Sequence, residues 1–110
     1  GHVYRQGPFD NALIDELKGR TGPARIPDRA SWPLPRQIVA DGSKDGVPVR
    51  WLALVNLEER PIQVAPHPSA LPDGSPCNAL DVLANGTVSL DPAKSLPVPA
   101  RGCRLFRIAM

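Results

Sequence analysis

The sequence predicts an all-β domain, a sandwich or a barrel of short antiparallel strands, and three features point there. From Arg36 onward apolar residues recur with a period of two, as side chains do when they alternate across a strand. Turn signals interrupt that pattern roughly every 8–12 residues. Prolines number 14 in 110 residues, more than twice the roughly 5% of an average protein, and proline ends helices and keeps strands short.

Size and charge narrow the possibilities. At 110 residues and 11.8 kDa one domain is the ceiling, and such a domain buries about 65% of its unfolded surface, enough for one core. A net charge of +2 makes no phosphate-binding field, so no nucleic-acid partner is expected. No apolar run approaches the roughly 20 residues of a membrane-spanning helix, and no membrane partner is expected. Collagen and coiled-coil periodicities do not occur. Gly1-His2 looks like the scar of a cleaved expression tag, and the natural chain is expected to extend further toward its N-terminus. Cys77 and Cys103 do not make a disulfide framework. They can pair only where the fold brings their Cα atoms within about 7 Å.

Residues 1–35 are expected to hold the tag scar, a short helix and a proline-rich connector; residues 36–110 form the β domain. Asp10–Gly19 is the one helical signal. Asp10 suits an N-cap, Leu13 and Leu17 share a face beside Ile14, and Gly19 offers a left-handed stop. Prolines at 23, 27, 33 and 35 then make Arg20–Pro35 an extended connector. Gln37–Ala40 and Val47–Leu57 flank a turn cluster, Asp41–Gly46, and should pair as a hairpin. Trp51, Ala53 and Val55 point to one side of the second run and Leu52 and Leu54 to the other, so it should be a central strand covered on both faces. A strand is expected at Pro61–Val64, followed by a loop to Cys77 holding four prolines. Leu80–Ala84 and Thr87–Leu90 read as a hairpin, with Asn85-Gly86 taking the two positive-φ positions of a type I′ turn. Leu96–Pro99 is an edge-type segment, and Gly102–Ala109 closes the chain as a strand.

Residues with chemical potential mostly have structural readings. His2 belongs to the tag scar, and His67 lies in a loop between two prolines. Two cysteines and one histidine cannot supply a four-ligand zinc site unaided. Asp41, Ser43, Asp45 and Gly46 match the opening of a calcium loop, but Leu52 stands where a bidentate glutamate is required. Glu58 and Glu59 read as turn residues and Asp81 as a strand-end hydrogen-bonder. Trp51 reads as core, whereas Trp32 could stack on a sugar ring. Arg101, Arg104 and Arg107 have helical spacing, but on a strand Arg104 and Arg107 diverge. Asn85-Gly86-Thr87 matches a glycosylation sequon that the hairpin already explains. No catalytic, cofactor-binding or metal-binding residue is assigned, and no cofactor is expected.

One ordered set of motifs carries a family likeness. It runs through Leu54-Val55-Asn56-Leu57, Glu58-Glu59-Arg60-Pro61, Asp81-Val82-Leu83, then Leu96-Pro97-Val98-Pro99-Ala100-Arg101-Gly102 leading into Arg104-Leu105-Phe106-Arg107-Ile108. From Arg36 to Met110 this resembles the C-terminal antiparallel β-sandwich that follows the catalytic barrel in retaining glycoside hydrolases, notably the α-galactosidase-like (melibiase) and α-amylase-like enzymes. In that family His or Tyr often stands at the position of Arg101, and an aromatic residue at that of Leu83. The resemblance implies a Greek-key sandwich without catalytic residues of its own. Its partner would be the catalytic barrel of a parent enzyme, with carbohydrate a further possible ligand. It favours a secreted or periplasmic location. Two other readings of such a domain are a carbohydrate-binding module and an immunoglobulin-like interaction domain.

Overall fold

The structure, a computed structural model, describes residues 16–27 and 36–110. Those residues form eight strands: β1 (Arg20–Arg25), β2 (Gln37–Lys44), β3 (Val47–Val55), β4 (Ile62–Val64), β5 (Cys77–Asp81), β6 (Gly86–Leu90), β7 (Leu96–Val98) and β8 (Cys103–Ala109). All pairings are antiparallel. Six strands make one sheet in the order β1-β2-β3-β8-β5-β6, and β4 and β7 pair as a separate ribbon. The chain is therefore all-β, as expected. With β1 and β6 as open edges, the arrangement is a sandwich rather than a barrel. After β6 and β7 the last strand returns to lie beside β5, a Greek-key return.

β3 holds the centre of the large sheet, as its two apolar faces require. Leu52 faces Val39 across one ladder and Phe106 across the other. With Leu54, Ile108, Ala79 and Leu90 they form the principal core. The ribbon covers this core with Val64 and Val98, but two short strands cannot span six. The proline-rich loop does the rest, as two single 3-10 turns, Pro68–Ala70 and Pro72–Gly74, bring Ala70 and Leu71 onto the same core. On the opposite face Trp51, Val49, Ala40 and Leu105 form a second, smaller cluster against Leu17.

Several local expectations need correction. The β2–β3 ladder runs without a break to Lys44 opposite Val47. Residues 41–44, expected in a loop, are therefore strand, and the turn is the two-residue Asp45-Gly46 with φ of 52° and 82°. The polarity that suggested a loop is absorbed by ion pairs, since Asp41 meets Arg50 at 2.6 Å and Arg25 at 2.7 Å. The type I′ geometry expected at Asn85-Gly86 belongs to this turn instead. Between β5 and β6 the loop is four residues long, because Asp81 pairs with Gly86. Only Asn85 in that loop has a positive φ, 58°. Asp81 organises it, accepting from the Asn85 N–H at its carbonyl (2.7 Å) and from the Ala84 N–H at Oδ1 (3.1 Å).

The N-terminal segment also differs. Of the helix expected over Asp10–Gly19, residues 10–15 lie outside the described residues, as do Gly1-His2, Trp32 and the prolines at 33 and 35. Leu17–Gly19 forms one 3-10 turn. Arg20–Arg25 is extended, as expected, but it is hydrogen-bonded to β2 rather than a free connector. Pro23 is tolerated because β1 is an edge strand whose register shifts between Thr21 and Arg25. Gly19 is not a left-handed stop. It faces Gly42, and a Cβ on either residue would collide with the opposing backbone. Gly42→Ala is accordingly expected to lift β1 off the sheet at a cost of about 2 kcal/mol. The readout is loss of amide-exchange protection in residues 20–25, with β3 and β8 still protected.

Candidate functional site

Among the described residues, three of the places where ionic and polar side chains gather bear on function. The first is the sheet face that carries Trp51. There the Glu16 carboxylate, 7% exposed, accepts from Trp51 Nε1 at 2.7 Å and from an Arg107 guanidinium N–H at 2.6 Å, with Lys44 Nζ at 3.5 Å. Those partners come from β3, β8 and β2, so one acid ties the entering chain to three strands. Burial pushes the Glu16 carboxyl up, but the hydrogen bonds from Trp51 and Arg107 and the charges of Arg107 and Lys44 outweigh it and hold the group below its usual range. Asp41 behaves alike, its desolvation outweighed by Arg50 and Arg25.

The sign of the pH dependence follows. A carboxyl whose folded pKa is depressed contributes stability that is complete above the unfolded carboxylate range and lost as pH falls through the folded value. The melting temperature should therefore hold between pH 8 and about 5 and fall below about 4. Glu16→Gln should melt lower at neutral pH and show a shallower acid limb. An acid limb identical to that of the unsubstituted chain would mean that Glu16 contributes nothing to it.

The second place is the end of the sandwich where β3, β7 and the 57–61 turn meet. Asn56 is 1% exposed. Its Nδ2 donates to the carbonyls of Arg60 (2.8 Å), Pro99 (3.0 Å) and Val98 (3.3 Å), and its Oδ1 accepts from the Glu58 N–H at 2.8 Å. Glu58 is half-buried against Arg36, while the exposed Glu59 meets Arg101 at 2.9 Å. These acids are turn residues with ionic partners.

The third place is an open groove of about 570 Å³ beside the β5–β6 loop, lined by Pro61, Leu83, Pro97, Pro99, Cys103 and the Asp81–Arg104 pair. Asp81, 4% exposed, meets Arg104 at 2.8 Å, and the same guanidinium lies 5.1 Å from the Phe106 ring centroid. A carboxylate held by an arginine and a loop amide is committed to structure.

The remaining candidates lie apart. His67 caps the first 3-10 turn, its Nδ1 taking the Ser69 N–H at 3.1 Å. Cys77 and Cys103 are free thiols that burial makes harder to ionise, and so poor nucleophiles. The β5–β8 register pairs Leu80 with Arg107 and Asp81 with Phe106, which sets the two thiols at opposite ends of that ladder and rules out a bridge between them. Arg104 and Arg107 diverge to opposite faces, as expected, one toward Asp81 and the other toward Glu16. Trp51 is core, 1% exposed. Among the described residues, no three His, Cys, Asp or Glu side chains cluster closely enough to hold a metal ion, and no helix is long and apolar enough to cross a membrane. Sequence reasoning missed Glu16 and the clasp made by Asn56. The only signal for the clasp was a polar residue closing an apolar strand.

Fold and polar clusters together define an antiparallel β-sandwich domain. No protein-family model matches the chain, and no curated protein matches it. The chain is similar to part of a solved crystal structure, that of a "putative alpha-N-acetylgalactosaminidase" from Bacillus halodurans C-125, with a TM-score of 0.61 and 9% sequence identity. The likeness covers 89% of this chain and 23% of that one. At that identity it establishes a shared fold.

Proposed function

We propose that this chain is a non-catalytic accessory domain of a glycoside hydrolase, packing on and stabilising a catalytic barrel that precedes it in the same polypeptide. The carrying observation is that nearly the whole fold recurs as a minor fraction of the longer "putative alpha-N-acetylgalactosaminidase" chain. The motif order from Leu54 to Ile108 supports the same reading independently. The pairing of Glu16, Asp41, Glu58 and Asp81 with arginine or lysine partners supports a role without bond-breaking chemistry.

The carbohydrate-binding alternative needs an exposed aromatic platform. Both aromatic residues among the described ones, Trp51 and Phe106, are buried to 1% exposure or less, and the Trp51 indole N–H is already spent on Glu16. On the accessory-domain reading the isolated chain should turn over no aryl α-galactoside or α-N-acetylgalactosaminide and should migrate unretarded through gels containing galactan, starch or mannan. Turnover would overturn the non-catalytic assignment. Retardation by any glycan would favour the binding module. An immunoglobulin-like module would instead show a partner protein and no adjoining barrel.

A further inference from the structure

We propose that Asn85-Gly86, where the β5–β6 loop enters β6, is a site of spontaneous deamidation at which the chain converts to aspartyl and isoaspartyl forms. The chemistry belongs to the chain itself and does not depend on a parent enzyme.

The reaction needs an asparagine side chain open to water and a following amide nitrogen able to reach it. The Gly86 nitrogen, deprotonated by hydroxide, attacks Cγ of Asn85. The new N–Cγ bond closes a succinimide ring as the Cγ–Nδ2 bond breaks, and ammonia leaves with a proton taken from water. Water then opens the ring at either carbonyl. One opening gives aspartate, and the other gives isoaspartate, in which the backbone runs through the former side chain.

The structure supplies both requirements at Asn85. The residue is exposed at the end of its loop, and among the described residues its side-chain amide has no hydrogen-bond partner. The residue that follows is glycine, around which a Cβ would meet nothing within 4 Å. Gly86 pairs with Asp81 on the first rung of the hairpin, so ring closure requires that rung to open. A rung beside a loop opens at low free energy, unlike one in the middle of a sheet.

The other asparagines are placed differently. Asn56, 1% exposed, is held by four hydrogen bonds and precedes Leu57. Asn78 is exposed, but it lies inside β5 and precedes the buried Ala79. Asn11 lies outside the described residues. The two products should also differ in the fold. Aspartate tolerates the left-handed backbone found at Asn85, where φ is 58°, so that form keeps the loop and gains one negative charge. Isoaspartate lengthens the backbone by a methylene and shifts Gly86 out of register with Asp81.

The test holds the 110-residue chain in water enriched in heavy oxygen, at mildly alkaline and at mildly acid pH, and follows its peptides by mass spectrometry. The peptide carrying Asn85 should exchange amide for acid, take up solvent oxygen and split into two isomers, faster at the alkaline pH. Asn78 should convert at least about tenfold more slowly, the effect of about 1.4 kcal/mol on a barrier. Gly86→Ala has room for its Cβ and needs no positive φ, so it should keep the fold. It should slow the conversion about tenfold or more, because the added side chain hinders ring closure. Thr87→Ala should leave the rate unchanged, since the nucleophile is the Gly86 nitrogen.

Conversion at Asn85 no faster than at Asn78 would overturn the assignment, as would equal slowing in Gly86→Ala and Thr87→Ala or an unchanged rate in Gly86→Ala. An aspartyl product without its isoaspartyl isomer would also overturn it, since that marks direct hydrolysis of the side-chain amide. Amide exchange of the separated isomers reads the register. Protection of β6 should persist in the aspartyl form and fall in the isoaspartyl form, and equal protection in both would overturn the loss of register. The comparison of Asn85 with Asn78 is made within one chain and stands whether or not either variant folds.

Discussion

Phe106→Ala is expected to lower the melting temperature by about 15–30 °C. Phe106 is fully buried, facing Leu52 on one side and Asp81 on the other. Truncating such a ring costs about 3–5 kcal/mol through lost burial and the cavity left behind. Each kcal/mol moves the midpoint of a domain near this size by about 4–8 °C. The ring also supports the Arg104 guanidinium, so the change should loosen the Asp81 loop. Circular dichroism melts measure the first effect, and faster amide exchange at Ala84 and Asn85 reports the second. A drop of under about 5 °C would mean that the second layer collapses into the cavity and that the core is less tightly packed than its burial implies.

The second large effect is expected at Asn56. Asn56→Ala strands three carbonyls and one amide of the 57–61 turn and the end of β7, at a cost of about 2–3 kcal/mol. Asn56→Asp is nearly isosteric and separates hydrogen bonding from packing. At neutral pH it replaces a donor by a carboxylate facing three carbonyl oxygens, and should melt at least as low as the alanine variant. At acid pH the protonated carboxyl regains one donor and should recover part of the loss relative to the parent at that pH. An aspartate variant as stable as the parent at pH 7 would show that the clasp is dispensable.

The contrast between these two residues shows what was legible in the sequence. Phe106 lies in a period-two run, and Trp51, Leu52 and Leu54 announced a central strand through apolar character on both faces. Burial patterns of that kind are local and can be read directly. Asn56 was visible as part of a motif, but its partners lie up to 43 residues away and no local pattern specifies them. Glu16 is more extreme, bonding to Arg107 across 91 positions.

Both expected hairpins are present, but their turns fall differently from the expected ones. Asp45-Gly46 and Asn85-Gly86 offer similar turn chemistry, and what separates them is whether the flanking ladder continues up to the turn. Asp41 could remain in a strand because Arg25 and Arg50 pair with it. Asp81 ends its strand by capping the loop that follows. A polar residue therefore signals strand or turn according to a partner elsewhere in the fold. For the candidate site, the sequence supplied the absence of a catalytic constellation as an expectation, whereas the partners of Glu16 became visible only in three dimensions.

The most direct measurement of the proposal that this chain belongs to a glycoside hydrolase and braces its barrel is the half-life of glycosidase activity at elevated temperature in the proposed parent polypeptide, with and without Phe106→Ala. If this domain braces a barrel that holds the reacting groups, the substitution should shorten that half-life at least about tenfold, as expected when unfolding of the brace precedes inactivation, while KM at low temperature stays within about twofold. An unchanged half-life in a variant whose sandwich has demonstrably melted would contradict the account, and so would a raised KM with an unchanged half-life.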